Sequence, residues 1–192
     1  MLNHLITLTR TGLGLNLSEL EAIFQKHNFS DYKFISTQDI IVAPWVRMRC
    51  TFGCQSYGKS GCCPPNVPSV DECREFFASY KTAVIFHLTK QVEKPEERIP
   101  WSRETNKELL KVEREVFLAG IYKAFLLFMD ECRLCSKCTG SRVECRNPTQ
   151  ARPSPESFAV DVFGTVRKQG YPLDVLSDYD KTMNRYAFLM IE

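Results

Sequence analysis

Thr82-Ala83-Val84-Ile85-Phe86-His87-Leu88-Thr89 is an apolar run with a single histidine inside it. β-Branched and aromatic residues dominate it, and apolar side chains occupy both alternating sets of positions. The run reads as a strand buried on both faces. Upstream, Ser69 and Glu72 form a capping-box pair that opens a helix to about Tyr80. Downstream, residues 91–103 are charged and contain prolines, so they read as a loop. Thr105 with Glu108 then caps a long helix to about Ile121, and residues 124–130 fit either its continuation or a strand.

Further out, Ser18 with Glu21 caps a short helix over 18–27, where Leu20, Ile23 and Phe24 share a face. Residues 39–49 read as a strand, with Pro44 placing it at an edge or a bulge. Ser154 as N-cap, Pro155 in the first turn, and Gly170 followed by Pro172 at the end delimit a helix over 154–170. Residues 185–191 read as a last strand. The expected fold is α+β: one domain over 1–192, with a small mixed or antiparallel sheet and about four helices. Two cysteine-rich loops, at 50–68 and 131–153, are expected at one end of it.

Bulk properties narrow the function. The 192 residues carry 25 basic and 23 acidic side chains, which gives no footprint for nucleic acid or a membrane surface. The longest apolar run, 124–129, is too short to span a bilayer, and residues 1–7 do not read as a secretory signal. Nine cysteines without an export signal point to a reducing, cytoplasmic setting, where clustered thiols bind metal or do redox chemistry.

Cys132, Cys135, Cys138 and Cys145 form a C-x2-C-x2-C-x6-C pattern. Three thiolates at two-residue gaps curl the chain round an iron–sulfur cluster, as in bacterial ferredoxins. Zinc, which usually takes two separated C-x2-C pairs, is the alternative. The other loop holds Cys50, Cys54, Cys62 and Cys63, then Pro64 and Pro65. Adjacent side chains point apart, so Cys62 and Cys63 are not both expected on one metal. Cys63, beside the prolines, is preferred, and Cys62 is the alternative. Cys50, Cys54 and Cys63 alone would leave a cluster with an open iron, unless Cys62 or a residue outside the loop completes it. Cys73, among Val70, Phe76 and Phe77, reads as a core residue. His4, His27 and His87 are scattered, and His87 reads as a hydrogen-bonded core histidine. Arg133, Lys137, Arg142 and Arg146 would stabilise an anionic cluster or dock an acidic partner. No phosphate loop, dinucleotide fingerprint or Ser/His/Asp pattern is present.

Cys54-x2-Tyr57-Gly58-x4-Cys63-Pro64-Pro65-x2-Pro68, the Cys132–Cys145 pattern, and Ala151-Arg152-Pro153-Ser154-x-Glu156 with Asp161-Val162 together resemble an uncharacterised family. It is the cysteine-rich "predicted metal-binding proteins", domain of unknown function 2284, found largely in anaerobic bacteria and archaea. The resemblance spans about residues 45–191. It implies metal binding through Cys50, Cys54 and Cys63, and through Cys132, Cys135, Cys138 and Cys145. Cys62 and Cys73 stand outside its pattern. The family's Gly-Ile-Asp is Ala159-Val160-Asp161 here, a local departure.

Three functions follow. One is electron transfer to a redox partner protein in anaerobic metabolism, through one or two [4Fe-4S] clusters. Another is an enzyme whose open-site cluster binds substrate or sulfide, which requires a pocket beside the first cysteine loop. The last is a zinc-stabilised interaction module.

Overall fold

In the computed structural model, which describes residues 17–92, 94–176 and 181–192, the interior run forms the centre of a four-stranded sheet. In chain order the elements are α1 (Leu17–Lys26), β1 (Tyr32–Ser36), α2 (Pro44–Gly53), α3 (Val70–Ala78), β2 (Thr82–Lys90), α4 (Arg98–Leu118), β3 (Phe125–Leu127), α5 (Val162–Lys168) and β4 (Met183–Met190). Short 3-10 turns lie at Thr37–Asp39, Pro95–Glu97 and Glu156–Phe158. The sheet order is β1-β2-β4-β3, and every pairing is antiparallel. This is an α+β architecture. No helix among the described residues is long and apolar enough to cross a membrane. His4 and residues 1–7 lie outside the described residues.

Alternation along β2 explains its two buried faces. Val84, Phe86 and Leu88 face α1 and α4, packing with Leu20, Phe24, Leu109, Val112 and Val116. Ala83 and Ile85 face α3 and α5, packing with Cys73, Phe77, Val162 and Val166. Strand β4 repeats the pattern, with Ala187 and Leu189 on the first side and Tyr186, Phe188 and Met190 on the second. Phe24 meets Phe86 edge-on at 4.9 Å. Each fully buried ring of this kind contributes about 2–3 kcal/mol.

Several expected elements come out differently. Residues 39–49 do not form a strand. Only Val42 keeps a bridge, to Val160, and Pro44 opens helix α2. Proline is pre-shaped for a first helical turn and lacks the N–H that a strand would use, so it starts the helix here. The single helix over 154–170 is two pieces. Ser154 and Pro155 start only the 3-10 turn at Glu156–Phe158, Ala159 turns left-handed at φ 58°, and the Asp161 carboxylate caps α5 through Gly164 N–H at 2.9 Å. Helix α4 begins at Arg98, inside the expected loop, because Pro100 falls in its first turn. Residues 124–130 contain a strand, β3. Strand β1 was not expected. Helix α1 starts at Leu17, so Ser18 lies within it rather than capping it.

Candidate metal centre

Helix α2 delivers Cys50 in its last turn, and Cys54 follows as its C-cap. A spacing of four residues puts both thiols on one side of the helix end. Arg47, one turn earlier, anchors the helix: its guanidinium donates to the carbonyls of Pro68 (2.9 Å) and Ser157 (3.0 Å). The chain then folds over itself, with Gly58 N–H on the Pro64 carbonyl at 3.0 Å and Gly58 at φ 70°. This brings Cys63 back towards α2.

Cys50, Cys54 and Cys63 line one cavity of about 230 Å³. Arg98, Asp130, Glu131 and Glu156 line it as well. Burial raises the Cys50 thiol, and the neighbouring Cys54 and Glu156 charges raise it further. Burial pushes Cys63 up to about 11, against the hydroxyls of Ser157 and Ser60 that draw it down. Arg98 pairs with Asp130 at 2.5 Å, and Arg185 approaches the same carboxylate at 3.7 Å. Glu156 lines the cavity with an exposed side chain. Loss of hydration in the cavity raises its carboxyl, its own backbone N–H opposes this, and the Asp130 charge adds to the rise.

The second loop packs on the first. Asn66 Nδ2 donates to the Ser60 carbonyl (3.2 Å) and, across the loops, to the Gly140 carbonyl (2.9 Å). A Cβ at Gly61 would stand 2.7 Å from the Ser141 carbonyl oxygen. Cys132 packs against the α1/α4 side of the core, Cys135 accepts from Asn147 Nδ2 at 3.0 Å, and Cys138 is exposed. The neighbouring Cys132 thiol and burial raise the Cys62 thiol. The Cys132 thiol is lowered by the neighbouring Cys62, against burial, and further by the backbone at Leu134 and Arg152 and the Arg142 charge.

Helix α4 holds this region in place. Arg103 Nε donates to the Arg133 carbonyl (2.8 Å), and Asn106 Oδ1 accepts from Met129 N–H (3.3 Å). Glu113 accepts from both Leu126 N–H (2.8 Å) and Arg152 Nε (2.9 Å). All nine cysteines are free thiols. Among the described residues, no three His, Cys, Asp or Glu side chains are gathered tightly enough to hold a single ion.

A family match covers residues 33–191, and its description is "Predicted metal-binding protein (DUF2284)". The chain belongs to this family. No curated protein and no solved structure matches it. The DUF2284 match takes in both cysteine loops, α4 and the segment that carries Arg152, Ser154 and Glu156.

Within this DUF2284 chain, the structure brings Cys50, Cys54 and Cys63 to one cavity, while Cys62 is buried outside its lining. Cys73 is fully buried between α3 and the sheet. His87 is hydrogen-bonded to Asp31 (2.6 Å) and Asn184 (2.8 Å) and stacks on Tyr186. A larger hollow of about 480 Å³, lined by His27 and His87, contains no cysteine, and both imidazoles have carboxylate partners. Arg133 pairs with Glu131. Sequence reasoning passed over Arg98, Asp130 and Glu131, which have no motif of their own. Glu156 and Arg152 had a signal, since they lie in the Ala151–Glu156 motif.

Proposed function

We propose that this chain is an iron–sulfur protein with two [4Fe-4S] centres that passes electrons to a redox partner protein in the reducing cytoplasm of an anaerobe. Cys50, Cys54 and Cys63 would hold one centre, and Cys132, Cys135, Cys138 and Cys145 the other. Bound clusters would supply one-electron redox capacity. The observation that carries this reading is the contact between the two cysteine loops at Gly61–Ser141 and Asn66–Gly140, which packs one loop against the other. The C-x2-C-x2-C run at Cys132–Cys138 supports a cluster over zinc, which usually takes two separated C-x2-C pairs. The apolar stripe of Trp45, Met48 and Phe52 on α2, from 47% to 84% exposed, gives a partner a surface beside Cys50.

A second reading is favoured by the cavity. Three thiols, with Glu131 and Glu156 close by, leave a coordination position that no cysteine fills, where substrate or sulfide would bind as on a Lewis acid.

The deciding experiment is iron, zinc and acid-labile sulfide per chain on protein purified without oxygen, with an absorption spectrum. About eight irons with equal sulfide, expected for two cubanes, supports the proposal. Zinc without sulfide overturns it and leaves a structural module. If a small thiol or sulfide then perturbs one centre's spectrum, the open-site reading gains over simple electron transfer.

A further inference from the structure

We infer that the outer face of the second cysteine loop docks an acidic electron-carrier protein. This deepens the proposed function and rests on its reading that the loop holds a cluster. Lys137, Arg142 and Arg146 stand beside or between the loop's cysteines, and all three are exposed. The Arg142 guanidinium donates to the Pro148 carbonyl at 2.7 Å, and Cys145 N–H reaches the Arg142 carbonyl at 3.4 Å, so 142–148 fold back on themselves. Lys59 of the first loop, also exposed, joins this group through the contact between the loops. A Cβ at Gly140 would stand 3.8 Å from the Lys59 carbonyl oxygen.

The other cations of the loop are already offset. Arg133 pairs with Glu131, and Arg152 with Glu113. Among the described residues, Lys59, Lys137, Arg142 and Arg146 form no ion pair. The stretch 136–150 contributes one carboxylate, Glu144. The whole chain is close to neutral, with 25 basic and 23 acidic residues, so the excess is local. Val143, 96% exposed, sets a small apolar contact within it, and Cys138 is exposed beside it. Exposed cations round a small apolar contact suit short-lived, electrostatically steered association with an acidic surface. The α2 stripe offers an apolar surface beside Cys50; this face offers charge beside Cys138. One electron leaves the reduced carrier and enters the second centre, with no bond or proton transferred. The exposure of Cys138 keeps that step short.

The test uses iron-loaded protein purified without oxygen and a reduced acidic ferredoxin as the carrier. Stopped-flow absorbance reads the second-order rate of electron transfer at about 10 mM and about 1 M salt, where charges are felt over about 30 Å and about 3 Å. Wild type should lose about tenfold or more in rate across that range. The triple variant Lys59→Gln/Lys137→Gln/Arg146→Gln should keep its iron, start about tenfold slower at low salt, and lose most of the salt dependence. Lys81→Gln/Lys90→Gln, exposed and outside both loops, should match wild type. Reduction by a net-neutral viologen should be equal in all three. A triple variant with wild-type rate and salt dependence overturns the proposal. So does one whose cluster potential moves while its rates do not, since the cations then serve the cluster alone. Wild type that binds duplex DNA or transfer RNA, with a carrier rate indifferent to salt, shows a nucleic-acid face and also overturns it. Iron is counted before any carrier is added. Wild type without iron overturns the two-cluster reading and this one together, whereas the other failures leave that reading standing.

Discussion

Ser157 Oγ donates to the sulfur of Cys63 across 3.6 Å, and both residues are buried. A hydroxyl aimed at a cluster thiolate stabilises the more negative, reduced state and so raises the potential. Ser157→Ala should keep its iron but lower the first centre's potential. One hydrogen bond of about 1 kcal/mol corresponds to about 40 mV for a one-electron couple. A redox titration followed by EPR reads it, and a shift in the second centre alone would contradict the assignment of Cys63.

Cys73 sits in the core under the sheet, not at the site. Cys73→Ala should cost about 1 kcal/mol of stability through a small cavity and leave metal content unchanged. Cys135→Ala should do the reverse at the level of iron, removing a ligand. Metal analysis of the two variants side by side separates them, and loss of iron in Cys73→Ala alone would show that the ligand set is misassigned.

Glu113 joins α4 to the strand and the second loop at once, through Leu126 N–H and Arg152. Its side chain is 7% exposed and that of Arg152 20%. Glu113→Ala strands a largely buried guanidinium and an N–H, at a cost of about 3 kcal/mol. Glu113→Gln keeps an acceptor and should cost less. Chemical denaturation measures both, and equal losses would mean that shape rather than pairing matters there.

Asp39 accepts from Lys168 (2.5 Å) and Gln169 (3.1 Å), which holds its carboxyl below the ordinary 3.8. The folded form therefore binds its proton less readily than the unfolded chain. Its contribution is full above the unfolded value and fades as pH falls through the folded one. The stability gap between wild type and Asp39→Asn, read from urea midpoints, should be wide at pH 7 and close below pH 4. A gap that widens in acid would reverse the sign.

Gly61 has no room for a side chain, since a Cβ would lie 2.7 Å from Ser141 O and 2.9 Å from its carbon. Gly61→Ala should force the loops apart, cost about 1–3 kcal/mol, and speed metal loss to a chelator. Hydrogen exchange should rise in both loops together, because the contact is shared. A rise confined to residues 50–68 would show that the second loop stands without the first.

Much of this was legible in the chain itself. The run at 82–89 announced a doubly buried strand because its apolar residues fill both alternating sets, and Ser69 with Glu72 announced a helix because that pair satisfies its own end. Other signals were ambiguous in kind. Pro44 is compatible with a strand edge and with a helix start, and only the tertiary bridge between Val42 and Val160 decides between them. Ser154 and Pro155 are good helix openers, yet Ala159 breaks the segment in a conformation that alanine rarely takes, and nothing local predicts that. Spacing picked out the cysteines. It could not say that the two cysteine loops pack together, because that follows from a contact between residues eighty apart in the chain, Gly61 and Ser141.

The segment after β3 leaves the sheet and closes on itself where Phe128 N–H donates to the Pro153 carbonyl at 2.8 Å. Between those two residues the chain is held by its contacts with α4 and with the first cysteine loop. The strands do not register the length of what lies there, and each doubling of a flexible loop adds only about 0.6 kcal/mol of closure entropy. The closure at Phe128–Pro153 therefore lets the strands keep their register whatever the conformation of residues 129–152.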